Sequence, residues 1–363
     1  MIKLAQPTLG DEEREALRRV LDSGHLVQGP QVAAFEARIR ERVGRAHGIA
    51  VSSGTAALYL ALEALGVGPG DEVIVPALTW PSPAHAAAHR GAEVVLVDVD
   101  PAEWNVRGEA IRAARTERTR AIVAIDQFGV PLRAEELLEA SEGIPLIEDA
   151  ACALGSCFAP SPEADQGKPC GSLGLVSCFS FHPRKVLTTG EGGLCVCDEA
   201  ALADTLRTLR NHGQREPGRF SAPGLNFRLS ELGAALGSAQ MGRLEAIVRR
   251  RAELRQIYEQ ALPGATLQAS PPGSRPNHQT LGLLLPPGVG AAARDALIVR
   301  LRARGIEAGI LSYALSRLGS LPSRAPMPVA EGIVDRGLAL PLHPQMRDED
   351  ALTVAHALRE EQP

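Results

Sequence analysis

The sequence has 363 residues and a mass of 38.4 kDa, which is long enough to bury a large apolar core. Of these residues 45% are hydrophobic and 22% are charged, a composition that excludes a disordered chain. Its 38 basic and 43 acidic residues give a net charge of −5, which excludes a protein held to nucleic acid or an anionic membrane by bulk charge. The N-terminus lacks a signal-peptide pattern and no apolar run is long enough to span a bilayer, so we expect a cytoplasmic protein.

Short runs rich in valine and isoleucine alternate with helical patterns through the first two thirds of the chain. The predicted strands are Ile49–Ser52, Glu72–Pro76, Glu93–Val97, Thr119–Ile125, Pro145–Glu148, Leu175–Phe181 and Gly193–Cys197. The predicted helices between them include Thr55–Leu65, Ser82–His89 and Arg133–Ala140. This alternation is typical of an α/β fold in which helices cover both faces of a mostly parallel sheet.

The pattern changes after Leu229. Residues 229–262 have the period of one long helix, and a block of further strands and helices follows it. The predicted elements of that block are strands Ala265–Ala269 and Thr280–Leu285 and helices Ala291–Arg304 and Asp348–Glu361. We therefore expect a large α/β domain over residues 1–240, with a helical segment at its N-terminus, and a small α+β domain over residues 241–363.

All six cysteines lie between Cys152 and Cys197, so we considered a metal site. The chain has no C-x-x-C pair, and its one C-x-C, formed by Cys195 and Cys197, lies in a predicted strand. We expect reduced thiols and no metal site.

The first candidate site is the turn from Ser52 to Leu58, where a strand ends and a helix begins. Free amides and the positive end of the helix dipole favour an anion there, with phosphate as the best candidate, and the Thr55 hydroxyl lies beside them. The alternative is that serine and threonine only cap the helix, with no ligand.

Two further segments carry chemistry. Glu148 and Asp149 close a predicted parallel strand, at the edge of the sheet where α/β proteins bind ligands, and the alternative is a carboxylate satisfied by backbone amides. Lys185 leaves a strand into a loop that leads to a glycine-rich turn. A lysine fixed there can act as an amine nucleophile, whereas the alternative is an ordinary surface lysine.

A lysine, a carboxylate and a phosphate cup are what pyridoxal phosphate (PLP) requires. With the runs GTAAL, EDAA and SFHPRKVLTTGEGG in this order, the sequence resembles the DegT/StrS-type sugar aminotransferases, which are PLP enzymes of fold type I in the aspartate aminotransferase superfamily. Further matches to the family pattern extend the resemblance over nearly the whole chain: Gly29-Pro30 before a helix, 68–76, 97–100, 210–213, 224–228 and 340–344.

The resemblance implies a role for each matching residue. Lys185 forms the Schiff base with PLP and carries a proton, and Asp149 pairs with the pyridine nitrogen. Gly54, Thr55 and Ala56 hold the phosphate, with a hydroxyl from Ser180.

Two more roles follow from the resemblance. Trp80 stacks over the cofactor ring, for which a place in the core is the alternative. Asn226 reaches the phosphate of the neighbouring subunit, which implies a homodimer with shared active sites.

The sequence departs from the family at several points. Cys152, which is also expected to contact the cofactor, replaces the usual Gln or His beside its phenolic oxygen, and a thiol is a weak donor. Residues 126–129 follow the fifth strand, where many members have a His. Residues 311–316 lie where a histidine-bearing substrate loop is common, and the segment 157–171 is longer than usual. These positions are where the family selects its substrate.

The expected function is transfer of an amino group from L-glutamate or L-glutamine to a nucleotide-linked keto-sugar or a keto-cyclitol, both small molecules, in amino-sugar or natural-product biosynthesis. Lys185 argues against the dehydratases of the family, which carry His in its place. The alternatives are another PLP reaction on an amino acid and a non-catalytic PLP-binding regulator. The regulator is disfavoured because the family resemblance covers nearly the whole given sequence, with no segment assigned to a DNA-binding domain, and because the net charge is negative.

Overall fold

A computed structural model describes residues 1–160, 167–321 and 324–361 of the chain. The helices are α1 Asp11–Ser23, α2 Pro30–Val43, α3 Gly54–Ala64, α4 Ser82–His89, α5 Gly108–Ala114, α6 Ala134–Ser141, α7 Ala200–Arg210, α8 Glu231–Met241, α9 Leu244–Ala261, α10 Ala291–Ala303, α11 Pro328–Arg336 and α12 Asp348–Glu361. The strands are β1 His47–Val51, β2 Glu72–Pro76, β3 Leu78–Thr79, β4 Glu93–Val97, β5 Thr119–Ile125, β6 Leu146–Asp149, β7 Val176–Ser180, β8 Gly193–Cys197, β9 Gln214–Glu216, β10 Arg219–Phe220, β11 Thr266–Leu267, β12 Leu281–Leu284, β13 Gly309–Ile310, β14 Tyr313–Ala314 and β15 Gly337–Leu340.

A seven-stranded sheet in the order β1-β8-β7-β6-β5-β2-β4 organises the first half of the chain. The pairs from β7 to β4 are parallel, whereas β8 is antiparallel to both of its neighbours. Residues 181–192, which join β7 to β8, contain no helix, and a chain without a crossover element returns antiparallel. The predicted mostly parallel α/β sheet is confirmed.

The two faces of this sheet bury separate sets of side chains. In β2, Val73 and Val75 pack into one core and Ile74 into the other, as the two-residue period of a strand requires. Helices α3, α4 and α7 cover the first face, and α2, α5, α6 and α8 cover the second. The strands are buried on both faces, which explains why their sequences are continuously apolar.

The single helix predicted over residues 229–262 is wrong, because the structure has two helices, α8 and α9, with Gly242 and Arg243 between them. Glycine weakens a helix, and the Arg243 guanidinium is held by the carboxylate of Glu13 in α1. Helix α8 packs on α1 and α2, whereas α9 packs on α12, so one straight helix could not satisfy both environments. We propose that the boundary between the two domains lies at this break, near residue 240.

The second half of the chain builds a four-stranded antiparallel sheet in the order β11-β12-β15-β13. Leu281, Leu283 and Leu338 face a separate core with α9, α10 and α12, while Leu284 and Ala339 face the core of the large sheet. Strand β14 pairs with β3, so the two halves also share backbone hydrogen bonds. Within the described ranges, no helix has both the length and the hydropathy needed to cross a bilayer.

Candidate active site

The predicted site residues meet at the carboxyl-terminal edge of the large sheet. Asp149 ends β6 and Ser180 ends β7, and the register places Gly193 opposite both Ser180 and Val51. The end of β1 is therefore level with the end of β7. The chain that leaves β1 enters α3 at this edge, which is the position that binds ligands in open α/β folds.

The N-terminus of α3 forms a cup lined with hydroxyl groups. The Ser53 Oγ accepts from the Ala56 amide at 3.1 Å, so the capping alternative applies to Ser53. The amides of Gly54 and Thr55 have no acceptor among the described residues. The Thr55 Oγ1 lies 2.8 Å from the Oγ of Ser82, which begins α4. The cup fits a phosphate group, because free amides, hydroxyls and the helix dipole all favour an anion.

Gly54 allows the cup to close against β7. A Cβ at this position would lie 2.8 Å from the Cβ of Ser180 and 3.2 Å from its Oγ. Any larger residue would push the helix start away from Ser180. Ser82 is a cup residue that sequence reasoning missed; the available signal was a serine before proline at the start of a predicted helix.

The adjacent carboxylates of β6 point to opposite faces of the sheet and have different surroundings. Glu148 accepts from the amides of Gly171, Leu173 and Gly174 and from the hydroxyl of Ser177, at 2.5–3.4 Å. The carboxylate satisfied by backbone amides, which the sequence left as an alternative, is therefore Glu148. Asp149 accepts from one amide, that of Ala151 at 3.0 Å, within the described part of the chain.

Asp149 is a buried carboxyl that has few partners. Burial raises the pKa of Asp149 to about 6 and Glu148 contributes in the same direction, while the Ala151 amide and the charge of Lys185 oppose the rise. A buried carboxylate of this kind is stabilised by a cation placed against it. The protonated nitrogen of a pyridine ring is such a cation, so Asp149 fits the partner that PLP provides.

Lys185 is presented by a turn with a fixed backbone. Its amide donates to the carbonyl of His182 at 2.8 Å, and the loop that follows is held by Gln240 of α8, which bonds both the amide and the carbonyl of Thr188. The half-buried Lys185 Nζ lies 3.1 Å from the Cys152 Sγ. The structure thus brings Lys185, Cys152 and Asp149 together beside the cup.

Trp80 and Asn226 are not buried in the site. Trp80 follows β3, is 63% exposed and meets Tyr313 edge to face at 5.4 Å between ring centroids, so the core alternative for Trp80 is wrong. Asn226 is exposed in an extended segment that runs beside the cup, where the Ser52 amide donates to the carbonyl of Phe227 at 2.8 Å. Cofactor stacking by Trp80 and contact between Asn226 and a partner's phosphate stay predictions.

Residues that depart from the family pattern are close to each other in space. The buried Gln127 has its Nε2 3.5 Å from the Oγ of Ser312, and Tyr313 contacts Trp80. The sequence separated these positions by more than half the chain. Residues 161–166 of the long segment 157–171 lie outside the described part of the chain. Near the two ends of this segment, Cys157 and Pro169 form an isolated antiparallel β-bridge.

One group of metal-ligating types occurs in the described ranges, although the sequence predicted no metal site. Asp126, Glu148 and Cys170 are all buried, with ligand atoms within 4.8 Å of one another. Burial and the neighbouring Glu148 carboxylate raise the pKa of Asp126 well above its usual value. A hydrogen bond from a protonated Asp126 to Glu148 is an alternative to a bound cation at this group.

The chain is similar over nearly its whole length to known proteins of one family. A statistical model of the DegT/DnrJ/EryC1/StrS aminotransferase family matches residues 7–359. The aminotransferase TlmJ from Streptoalloteichus hindustanus is 34% identical, with a TM-score of 0.92 over 99% of this chain and 98% of that one. DesV of S. venezuelae, solved with a ketimine intermediate, is 33% identical, with a TM-score of 0.88 over 96% of this chain and 94% of that one. A 3-amino-5-hydroxybenzoic acid synthase is 31% identical, with a TM-score of 0.90 over 98% of this chain and 97% of that one.

Proposed function

The chain belongs to the DegT/DnrJ/EryC1/StrS aminotransferase family and is a PLP-dependent aminotransferase of fold type I, and we propose that it moves the amino group of L-glutamate or L-glutamine to a nucleotide-linked keto-sugar or a keto-cyclitol. The observation that carries this proposal is the convergence of Lys185, Asp149 and the cup at one sheet edge. One relative is a synthase of an aminohydroxybenzoic acid, and the 25% identical PseC of Helicobacter pylori is an aminotransferase involved in the biosynthesis of pseudoaminic acid. These relatives support an acceptor that is a polyhydroxylated or carbocyclic ring.

PLP, when bound, supplies an aldehyde that condenses with amines and a protonated ring that withdraws electrons from the adjoining carbon. The chain's own residues supply the rest. Thr55, Ser82 and Ser180 would hold the phosphate in the cup, and Asp149 would face the ring nitrogen. The Asp149 carboxylate would keep a proton on that nitrogen, and the Lys185 Nζ would take and return the proton at the carbon that bears the amine.

Arg184 is our candidate for holding the carboxylate of the donor. It immediately precedes Lys185, is exposed, and forms no ion pair among the described residues. It borders a depression that Gln279, Thr280, Ile310 and Leu311 also line. An arginine one residue before the reactive lysine, with no ion-pair partner among the described residues, fits the α-carboxylate of an amino acid, because planar bidentate pairing favours arginine at such sites.

For the acceptor we propose the region where Gln127, Ser312, Trp80 and Tyr313 meet. Gln127 and Ser312 offer an amide and a hydroxyl for ring hydroxyl groups. Trp80 and Tyr313 offer exposed aromatic faces and edges, which pack on the apolar faces of sugars and cyclitols. This side of the site holds the departures from the family, which supports a role in choosing the acceptor.

We propose a homodimer in which Asn226 completes the phosphate cup of the partner. The exposure of Asn226 and of its neighbour Leu225, which is 50% exposed, supports a covered surface in the assembly. We also propose a cytoplasmic location, which the six free thiols support because reducing compartments preserve them.

The experiment that tests the proposed function is a donor screen followed by product analysis. The purified enzyme is mixed with single amino acids and its cofactor absorbance is followed, and the amine-loaded enzyme is then given a panel of keto-sugars and keto-cyclitols for mass spectrometry. Conversion by glutamate or glutamine and an aminated ring product support the proposal. Loss of the donor's carboxylate or side chain would indicate another PLP reaction, and no conversion with any donor would indicate a regulator.

A further inference from the structure

Cys152 has an unusual partner for a thiol. Its Sγ lies 3.1 Å from the Nζ of Lys185, which is closer than an ordinary van der Waals contact between sulfur and nitrogen. Among the six cysteines, the other five are buried and Cys152 alone is partly exposed. A small oxidant can therefore reach the one thiol that adjoins the reactive amine.

The position of Cys152 is fixed by its backbone. The Asn277 Nδ2 donates to the carbonyl of Cys152 at 2.8 Å and to that of Leu154 at 2.9 Å. Gly129, which has a φ of +87°, packs directly against Asn277 and the Cys152 carbonyl. A Cβ at this position would lie 2.0 Å from the Asn277 Oδ1 and 2.9 Å from the Cys152 carbonyl oxygen, so only glycine fits. Lys185 is held as firmly by its own turn, so the sulfur and the nitrogen face each other from two fixed segments.

We propose that Cys152 and Lys185 form a reversible redox site, in which a peroxide couples the Sγ and the Nζ through a covalent S–N bond. Hydrogen peroxide first oxidises the thiol by two electrons to a sulfenic acid and is itself reduced to water. The lone pair of the Nζ then attacks the sulfur, the S–N bond forms, the S–O bond breaks, and the hydroxyl leaves as water with one proton of the amine. Two equivalents of a thiol reductant restore the thiol and the amine and become a disulfide.

The site responds to the state of the cofactor, and this part rests on the proposed role of Lys185. Pyridoxal phosphate engages the amine of Lys185 through its aldehyde, so that amine is not free to attack sulfur. Pyridoxamine phosphate has an amine in place of the aldehyde and leaves Lys185 free beside Cys152. Oxidation therefore inhibits the enzyme after the donor has reacted and before the acceptor ketone binds, when the cofactor is pyridoxamine phosphate.

The test compares holoenzyme loaded with pyridoxal phosphate and holoenzyme loaded with pyridoxamine phosphate, each exposed to dilute hydrogen peroxide and digested for peptide mass spectrometry. In the pyridoxamine form we expect the peptides with Cys152 and Lys185 to be joined, with a mass lower by two hydrogen atoms, and to separate after dithiothreitol. Cys152→Ser should abolish the joined peptide. Cys157→Ser is the matched control and should keep it, because Cys157 contacts Arg275 instead.

The two forms separate the outcomes. A joined peptide in the pyridoxamine form alone supports both the redox site and the role of Lys185. Equal joining in both forms supports the redox site and contradicts the proposed engagement of Lys185 by the cofactor. Oxygen atoms added to Cys152 in the pyridoxamine form, with the Lys185 peptide unmodified, would overturn the redox site and leave the proposed function standing.

Discussion

Removing one negative charge at Glu148 or at Asp149 should have opposite consequences, although the two residues are adjacent. Glu148→Gln changes a carboxylate that holds together the segment from Gly171 to Ser177, on the face of the sheet away from the cup. Asp149→Asn changes a carboxyl with one amide partner, on the face that carries Lys185. The first substitution tests stability and the second tests chemistry.

The loss at Glu148 follows from its hydrogen bonds. Its Oε2 accepts from Leu173, Gly174 and Ser177 and its Oε1 from Gly171, so the best orientation of a glutamine places its NH₂ group against the Gly171 amide. One buried donor is left unpaired and the remaining bonds lose their charge assistance, which together lower the free energy of unfolding by about 2–3 kcal/mol.

Asp149→Asn keeps the bond from the Ala151 amide, because the asparagine Oδ1 accepts it. The folded-state pKa of Asp149, about 6, lies above the ordinary 3.8, so ionisation destabilises the fold as pH rises through that interval and the effect is complete above it. At pH 8 the cofactor-free variant should therefore be more stable than the wild type by about 1–3 kcal/mol. It should nevertheless lose about 100-fold or more in amine transfer, because a neutral amide does not hold the ring proton.

The assay pairs denaturant unfolding of the cofactor-free proteins at pH 8 with the rate of the glutamate half-reaction. We expect Glu148→Gln to unfold at lower denaturant and to react normally where folded, and Asp149→Asn to show the reverse. If Asp149→Asn were as destabilised as Glu148→Gln, or if folded Glu148→Gln lost the half-reaction, the assignment of the two faces would be refuted.

Three more predictions concern the charged and exposed groups. Because the pKa of Asp126 is raised, ionisation of this carboxyl destabilises the fold. The stability gained by Asp126→Asn, measured by thermal unfolding, should therefore grow as pH rises above the ordinary aspartate pKa of 3.8, and a constant difference would contradict this. Arg184→Gln should raise the KM for glutamate about tenfold in steady-state kinetics and leave that of the ketone unchanged, and an equal effect on both would contradict its donor role. Mixing equal amounts of Lys185→Ala and Asn226→Asp chains, each inactive alone, should restore about a quarter of the sites if Asn226 serves the partner, and no activity if it acts within its own chain.

The large sheet could be predicted from the sequence because each buried strand is a short apolar run between helical patterns. Strands β2, β4, β5 and β8 have the predicted bounds, and the others differ by one or two residues. The helix over 229–262 failed because its break depends on packing against α1 and α2, which residues 242 and 243 alone do not encode.

The site was predictable where one motif carries one role. Strand alternation places Glu148 and Asp149 on opposite faces, but which of them is free depends on the amides of residues 171–174, more than twenty positions away. Ser82 meets Thr55 only because two helices start at the same sheet edge. The contact between Gln127 and Ser312 joins segments 185 residues apart, and no local pattern indicates it.

The central claim is that Lys185 binds the cofactor and acts on the amino donor. Borohydride reduction of the PLP-loaded enzyme, with peptide mapping, tests it directly, because the sequence has only three lysines, Lys3, Lys168 and Lys185. We predict that the reduced adduct maps to Lys185 and that L-glutamate, added first without acceptor, prevents the trapping. An adduct on Lys168, or trapping that no amino donor changes, would contradict the claim.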